Sequence, residues 1–328
     1  MLSPAILRPY RLTDTPALAD LVNATRTSKW DMAFGADDVR RWFFDWPTFH
    51  AESDSWLAEG RHGVLRGAAH IQPEDPQTLE ASPQVLRSVF VFVRPDPAQA
   101  RLELARHLLK LALERARSLP RSRSDKPYEI WAPLFQREPW KESLLEAEGL
   151  RHARSHYTMR QDDLQAVTLP SSLPGLQIQP WSESRDLEFY TAMDEAFRDH
   201  WGYHQESYEF YRSFYHRPDW PREAWRMAVD ESSGEIAGIV VTGIDAATNG
   251  LTGRQDGWIH ELAVRKAWRR RGVGEALLRH GMLALRDQAG MTAAVLGVDT
   301  QNLSGANRLY ERAGFRVVAE GRLYLVSV

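Results

Sequence analysis

Leu262-Ala263-Val264-Arg265-Lys266-Ala267-Trp268-Arg269-Arg270-Arg271-Gly272-Val273-Gly274-Glu275-Ala276-Leu277-Leu278 decides how this 328-residue chain reads. Leu262 to Val264 end an apolar run from Trp258 that reads as a buried strand, and Gly272 and Gly274 close a basic turn. Beyond the turn, Leu278, Met282, Leu285 and Ala289 fall on one face of a helix. Glycines let backbone amides converge without Cβ obstruction, and a helix start adds unpaired amides and the positive end of its dipole. The spacing therefore predicts an anion cradle at a strand-to-helix turn, with Arg269, Arg270 and Arg271 supplying charge for a pyrophosphate or a 3′-phosphate. No Gly-Lys-Ser/Thr follows and G-x-G-x-x-G is absent, so this is neither a Walker loop nor a dinucleotide fingerprint. Taken alone, the loop also reads as a solvated basic patch at a helix start.

The same pattern recurs in the other half of the chain. Leu7-Arg8-Pro9-Tyr10 is answered 171 positions later by Ile178-Gln179-Pro180-Trp181, and Val89 to Val93 by the run ending at Val264. Each run leads into a helix, with Leu104, Leu108 and Leu111 on one face in the first half. Glu148-Gly149-Leu150-Arg151 matches Ala313-Gly314-Phe315-Arg316, where a helix stops at Gly and a strand begins. A period this long means two copies of a domain. Residues 164–175, with Pro170, Pro174, Ser171 and Ser172 and no charge, read as a linker, giving domains at 1–163 and 176–328. In the second copy, strands are expected near 176–181, 225–230, 236–244, 258–264, 293–298 and 315–319. The segment from Trp258 to Val298 is expected to be a parallel strand-helix-strand crossover. The fold class is α/β, a mixed sheet with helices on both sides.

Thirty residues past the loop stands Val298-Asp299-Thr300-Gln301-Asn302-Leu303-Ser304-Gly305-Ala306-Asn307-Arg308-Leu309-Tyr310-Glu311-Arg312-Ala313-Gly314-Phe315. Together with Arg269-x-x-Gly272-x-Gly274, this resembles the two ordered signatures of the GNAT superfamily of N-acetyltransferases: an acetyl-CoA loop, then an Asn followed by a helix containing Leu-Tyr and ending Gly-Phe. The tandem arrangement, with Ala196-Phe197-Arg198-Asp199-His200-Trp201-Gly202 and Gly305-Ala306, resembles the two-domain type found in the mycothiol synthase family, in which the carboxy-terminal copy is the catalytic one. The resemblance implies two tandem GNAT folds, each a mostly antiparallel mixed sheet with a central parallel strand pair that splays apart. It implies acetyl-CoA as cosubstrate and no metal.

Site roles follow from the resemblance residue by residue. The backbone of Leu262, Ala263 and Val264 borders the pantetheine arm, with the Leu262 amide a candidate to polarise the thioester carbonyl. Backbone amides of Arg270, Arg271, Gly272, Val273, Gly274 and Glu275 hold the pyrophosphate, and Asn302 and Asn307 belong to the cofactor side. Asn302 also reads as an N-cap for a helix starting near Ser304. Tyr310 is the general acid for the departing thiolate, or a core aromatic. An amine acceptor is mostly protonated at neutral pH, with a pKa of about 10.4 for a lysine-type amine, so a base is required. His260 and Glu261 are both candidates, and alternation puts His260 on the face of Trp258 and Leu262, with Glu261 opposite unless a bulge resets the phase. The aromatic and polar run from Asp199 to Tyr211 lines the acceptor site or packs on the sheet. His200 and His204 at i, i+4 suggest zinc only weakly, since Gly202 lies between them and no third ligand is evident.

In the first copy the loop reads Val93-Arg94-Pro95-Asp96-Pro97-Ala98-Gln99, without glycine and with an acidic residue where phosphate would sit, so productive acetyl-CoA binding is not expected there. Composition narrows the function further. Hydrophobic residues at 43%, charged residues at 26% and a net charge of -3 argue against bulk disorder and against a generally basic nucleic-acid binder. With no cysteine, disulfides and a cysteine nucleophile are excluded, and the absence of a signal-like or membrane-spanning apolar run points to a soluble cytoplasmic protein. The leading expectation is direct acetyl transfer from acetyl-CoA to a primary amine of a small molecule, a thiol-containing amine among them. The alternatives are a protein or peptide acetyltransferase and a noncatalytic acyl-CoA-binding interaction module; oligomeric state is left open.

Overall fold

Hydrogen-bonded ladders decide where each half of this chain ends. The computed structural model describes residues 6–46, 48–74, 84–95, 97–169, 172–200, 203, 205–217, 220–302 and 305–328. The chain divides into two units, residues 1–155 with 319–328, and residues 156–318.

The first unit contains strands β1 (Ile6–Arg8), β2 (Ser55–Glu59), β3 (Leu65–Gln72), β4 (Val85–Val93) and β5 (Tyr128–Leu134). Its helices are α1 (Thr15–Ala24), α2 (Ala36–Val39), α3 (Ala51–Asp54), α4 (Ala98–Ser118) and α5 (Pro139–Ala147). Neighbouring strands are antiparallel except β4 and β5, which pair in parallel from Val85↔Tyr128 to Ser88↔Trp131. The final strand of the chain completes this unit, Arg322↔Leu134 through Ser327↔Glu129. Helix α4 exists because Ala105, Leu108, Leu109, Ala112, Leu113 and Ala116 recur at helical spacing and are all buried.

The second unit takes the far end of β6 (Arg151–Gln161), then β7 (Leu176–Pro180), β8 (Arg226–Asp230), β9 (Ile236–Ile244), β10 (Asp256–Val264), β11 (Ala293–Asp299) and the start of β12 (Arg316–Ser327). Its helices are α6 (Asp186–Phe197), α7 (Tyr208–Tyr215), α8 (Ala246–Thr252), α9 (Val273–Asp287) and α10 (Ala306–Arg312). Residues 156–161 of β6 pair with β11, followed by β10, β9, β8 and β7. Strand β9 is buried at all but its last position because helices cover both faces. One face carries Val240, Ile259, Leu277, Leu278, Met282, Leu285 and Leu296 against α9. The other carries Ile239, Val241 and Ala263 against Phe189, Tyr211 and Tyr215 of α6 and α7. Each fully buried Leu on the α9 side is worth about 1.5–3 kcal/mol.

The expected strands are present within a residue or two, β10-α9-β11 is parallel, and the sheet is mixed with helices on both sides. Strand β12 runs far past the expected end at 319, and α8 was not expected. The units differ from a division at 164–175: residues 156–163 belong to the second unit and residues 319–328 to the first. The physical reason is pairing, since a strand belongs with the ladder it completes and composition registers only where the chain loses charge. Leu164 and Val167 of the linker segment are buried in the α9-side core. Among the described residues no helix is long and apolar enough to cross a membrane, and no group of His, Asp and Glu is placed to hold a metal.

Candidate functional site

Strands β10 and β11 stay paired only from Asp256↔Ala293 to Ile259↔Leu296. Beyond that, β10 keeps its ladder to β9, Glu261↔Val241 through Val264↔Gly238, and β11 keeps its ladder to β6. Since backbone groups along a strand alternate between its two neighbours, the groups of residues 260–264 that face β11 have no ladder partner. Leu262, Ala263 and Val264 thus border an opening into which an extended, amide-bearing arm can add as a strand does. The register slips between Ile259 and Glu261, a bulge at His260 and the point at which the strands part.

The turn after Val264 builds the cradle. Arg270 has φ +63° and Gly272 φ +82°, left-handed values that turn amides into a concavity. Gly272 is the N-cap of α9 with no side-chain cap, which leaves the first-turn amides of Val273, Gly274 and Glu275 without intrahelical partners. Arg270, Arg271 and Gly272 are exposed. Arg269 is committed elsewhere: Nε donates to the Val264 carbonyl at 3.0 Å, Nη2 to the Ala196 carbonyl at 2.8 Å and Nη1 to Asp199 at 3.0 Å. It anchors the loop to the end of β10 and the end of α6, so the free charge at the cradle belongs to Arg270 and Arg271. Glu275 pairs with Arg279 one turn on, at 3.1 Å.

On the β11 side, the Asn302 amide donates to the Asp299 carbonyl at 3.1 Å. Helix α10 starts at Ala306 with Gly305 as N-cap, so Asn302 is not its cap; Leu303 and Ser304 lie outside the described residues. The buried Oδ1 of Asn307 has no hydrogen-bond partner among the described residues, an acceptor suited to an incoming amide N–H. The opening, the uncapped helix start and this acceptor fit an acyl-CoA.

The bulge changes which side chains meet. With two successive residues opposite one, His260 and Glu261 both reach the α6–α7 side, where alternation alone would separate them. His260 stacks on Trp220 at 4.0 Å and 15°, with Trp258 5.8 Å beyond. A Cβ at Gly243 would lie 2.7 Å from its ring, so this stack needs a glycine there. Glu261 accepts a hydrogen bond from Tyr215 at 2.7 Å. Burial pushes its carboxyl up to about 7, opposed by the Tyr215 hydrogen bond and helped by the negative charge of Glu206. Tyr310, buried on α10, is pushed up to about 12 by burial and then by the charge of Glu261. The arrangement sets a carboxyl that changes charge near neutrality, at the point where β10 and β11 part, within electrostatic reach of a buried phenol on α10 that keeps its proton there.

Much of the aromatic stretch from Asp199 to Tyr211 is structural. Tyr208 and Tyr211 donate to Asp186 at 2.8 and 3.0 Å, and Trp181 donates to the same buried carboxylate at 2.9 Å. Tyr203 donates to Asp194 at 2.5 Å, and His200 packs edge-on against Phe197. Trp201, Gly202 and His204 lie outside the described residues. Sequence reasoning missed Tyr215 and Trp220, which follow that stretch; the signal present was a tyrosine at i+4 from Tyr211, on the buried face of α7.

The first unit has the same parting of parallel strands, beyond Ser88↔Trp131. Carried through the repeat, the places of Glu261 and Tyr310 fall to Phe90 and Leu145, both buried and apolar. Pro97 is the N-cap of α4 where the second unit has Gly272, and Asp96 lies outside the described residues.

A chain that opens two parallel strands beside an uncapped helix start has the fold and site of an acyl-CoA-dependent transferase. Residues 191–315 match the sequence profile of the Acetyltransferase (GNAT) family, so the second unit carries a GNAT acetyltransferase domain. It is 28% identical over 300 residues to a mycothiol acetyltransferase of Thermobifida fusca (strain YX), covering 84% of this chain and 88% of that protein. Its fold is similar to a GCN5-related N-acetyltransferase from Sphaerobacter thermophilus, with TM-score 0.74 and 23% identity over 98% of this chain and 95% of that one. It is also similar to a tandem GNAT protein from the clavulanic acid biosynthesis pathway, with TM-score 0.69 and 14% identity over 98% of both chains. Both similarities in fold extend over both units.

Proposed function

We propose that the second unit transfers the acetyl group of acetyl-CoA directly to a primary amine of a small molecule, and that the first unit is a degenerate copy without productive acetyl-CoA binding. The observation that carries this reading is the parting of β10 and β11 just before Glu261, beside the cradle of residues 270–275, with the charge of Glu261 felt by the buried Tyr310. Amides of Arg270 to Glu275 hold the pyrophosphate, Arg270 and Arg271 add charge, and the β10 backbone from Leu262 to Val264 with Asn302 and Asn307 lines the arm. Bound acetyl-CoA supplies the acetyl group as a thioester.

Glu261, rather than His260, is the base, because the imidazole is stacked on Trp220 while burial raises the carboxyl to about 7. Its carboxylate removes one proton from the acceptor ammonium, the freed nitrogen forms a bond to the acetyl carbon as the carbon–sulfur bond breaks, and the nitrogen releases its second proton to solvent to leave the neutral amide. Tyr310 donates its phenolic proton to the departing sulfur. Once Glu261 has taken a proton, the negative charge that raises Tyr310 is gone, so the base step makes the acid stronger. Solvent returns a proton to Tyr310 and accepts one from Glu261, which resets the site.

The relative named a mycothiol acetyltransferase supports a small-molecule acceptor. Phe90 and Leu145 in place of a carboxylate and a phenol support an inert first unit. The test is calorimetric titration with acetyl-CoA and CoA on wild type and Gly272→Glu, followed by an amine screen read by thiol release. One site per chain, lost in the variant, with turnover on a small amine, is expected. Two equivalent sites would overturn the degenerate copy. Binding without turnover on any amine would favour the interaction module, and turnover only on peptides would favour a protein acetyltransferase.

A further inference from the structure

Tyr215 ends α7 with its ring 8% exposed, packed against Tyr211 at 5.4 Å, Phe214 at 5.0 Å and Trp220 at 5.9 Å. Trp220 is in turn stacked on His260, the bulged residue of β10. The ring has little room to turn, and its hydroxyl lies 2.7 Å from Oε1 of Glu261. The bulge that parts β10 from β11 thereby also brings Glu261 under a fixed donor from α7.

We propose that Tyr215 is a positioning residue for acetyl transfer: by holding Oε1 of Glu261 it aims the other carboxylate oxygen at the acceptor nitrogen and keeps the carboxylate in its proton-accepting form. This rests on Glu261 being the base. A glutamate on a strand has three side-chain torsions, and a donor on one oxygen removes most of the orientations in which the other would miss the acceptor. Tyr215 from α7 contacts this carboxylate, Glu206 before α7 and Tyr310 from α10 are coupled to it by charge, and His260 precedes it on β10. Glu206 and burial favour the neutral acid, and Tyr215 opposes them through its hydrogen bond to the anion.

The experiment uses the full chain labelled with 13C at glutamate Cδ. The Glu261 resonance is identified by its loss in Glu261→Gln, then titrated in wild type, in Tyr215→Phe and in protein carrying 3-fluorotyrosine at 215. Tyr215→Phe is expected to move the Glu261 titration up by about one pH unit. The fluorinated phenol, a stronger donor of the same size, is expected to move it down, and it carries the test if Tyr215→Phe does not fold. With acetyl-CoA and the best amine from the screen, the acidic limb of kcat/KM is expected to move with the resonance while the acetyl-CoA Kd stays constant. An unmoved resonance in both variants, or one moving the same way in both, overturns the positioning role. A resonance that moves as expected while Glu261→Gln keeps full turnover instead overturns Glu261 as the base.

Discussion

Arg269 Nε lies 3.0 Å from the carbonyl oxygen of Val264, the last residue of β10, and the same guanidinium reaches the Ala196 carbonyl and Asp199. A basic residue that a sequence reading assigns to phosphate is here a three-way brace for the loop. Lysine has the charge but not the planar fork. We therefore expect Arg269→Lys to weaken acetyl-CoA binding about as much as Arg269→Gln, on the order of tenfold, by loosening the cradle. Arg270→Gln and Arg271→Gln act on exposed charge, so their losses shrink as salt is raised. Titrations at low and high salt check this; a full rescue by lysine at 269 would show that charge is what matters there.

Glu261, raised to about 7 by burial, must be ionised to take a proton from the acceptor. Turnover is thus expected to rise with pH through about 7 and to level off above it. Glu261→Gln is expected to lower kcat by about 10²–10⁴-fold and to abolish that limb, whereas His260→Gln keeps it. A limb that follows His260 and survives Glu261→Gln would assign the base to the imidazole.

The loop, the repeat and the central strands were legible because each depends on local pattern: close glycines before an amphipathic run, or an apolar stretch between turns. Glu261 was named as a candidate with its face left to depend on a bulge, because alternation holds only until one occurs and nothing local in Ile259-His260-Glu261 announces it. Arg269 was read as a phosphate ligand because its partners, Ala196 and Asp199, are about seventy residues away in sequence. The compact units take strand segments from across the expected boundaries for the same reason. Which ladder β6 and β12 complete depends on residues far from both.

The closing strand offers a direct test of that boundary. Arg322 to Ser327 pair with β5, and Leu323, Tyr324 and Leu325 are buried, with Tyr324 packed in the core around α4. Removing residues 322–328 bares the β5 edge and strips those side chains, each worth about 1.5–3 kcal/mol, a large share of a typical stability of about 5–15 kcal/mol. Limited proteolysis of the truncated chain is expected to cut first within residues 6–155 and to leave 156–318 as the surviving fragment. Initial cleavage within 176–318 would assign the strand to the second unit.

His70 sets how the first unit responds to acid. It is 1% exposed on β3, stacked on Phe90 at 4.7 Å and flanked by Phe43 and Phe44, and its Nε2 has no hydrogen-bond partner among the described residues. Burial pushes the imidazole down to about 3. The unfolded chain takes up this proton near 6.5, and the folded chain only near 3, so between those values the unfolded state holds the extra proton. Stability contributed by the neutral ring is complete above 6.5 and is lost as pH falls, by up to about 1.4 kcal/mol for each pH unit. Phenylalanine fits the aromatic surroundings and cannot titrate, and any packing cost it carries is the same at every pH. Urea unfolding of wild type and His70→Phe between pH 8 and pH 4.5 is therefore expected to give a stability difference that shifts steadily in favour of the variant as pH drops below 6.5. A difference that stays constant across the range would mean that the ring finds a proton-accepting partner in the folded state.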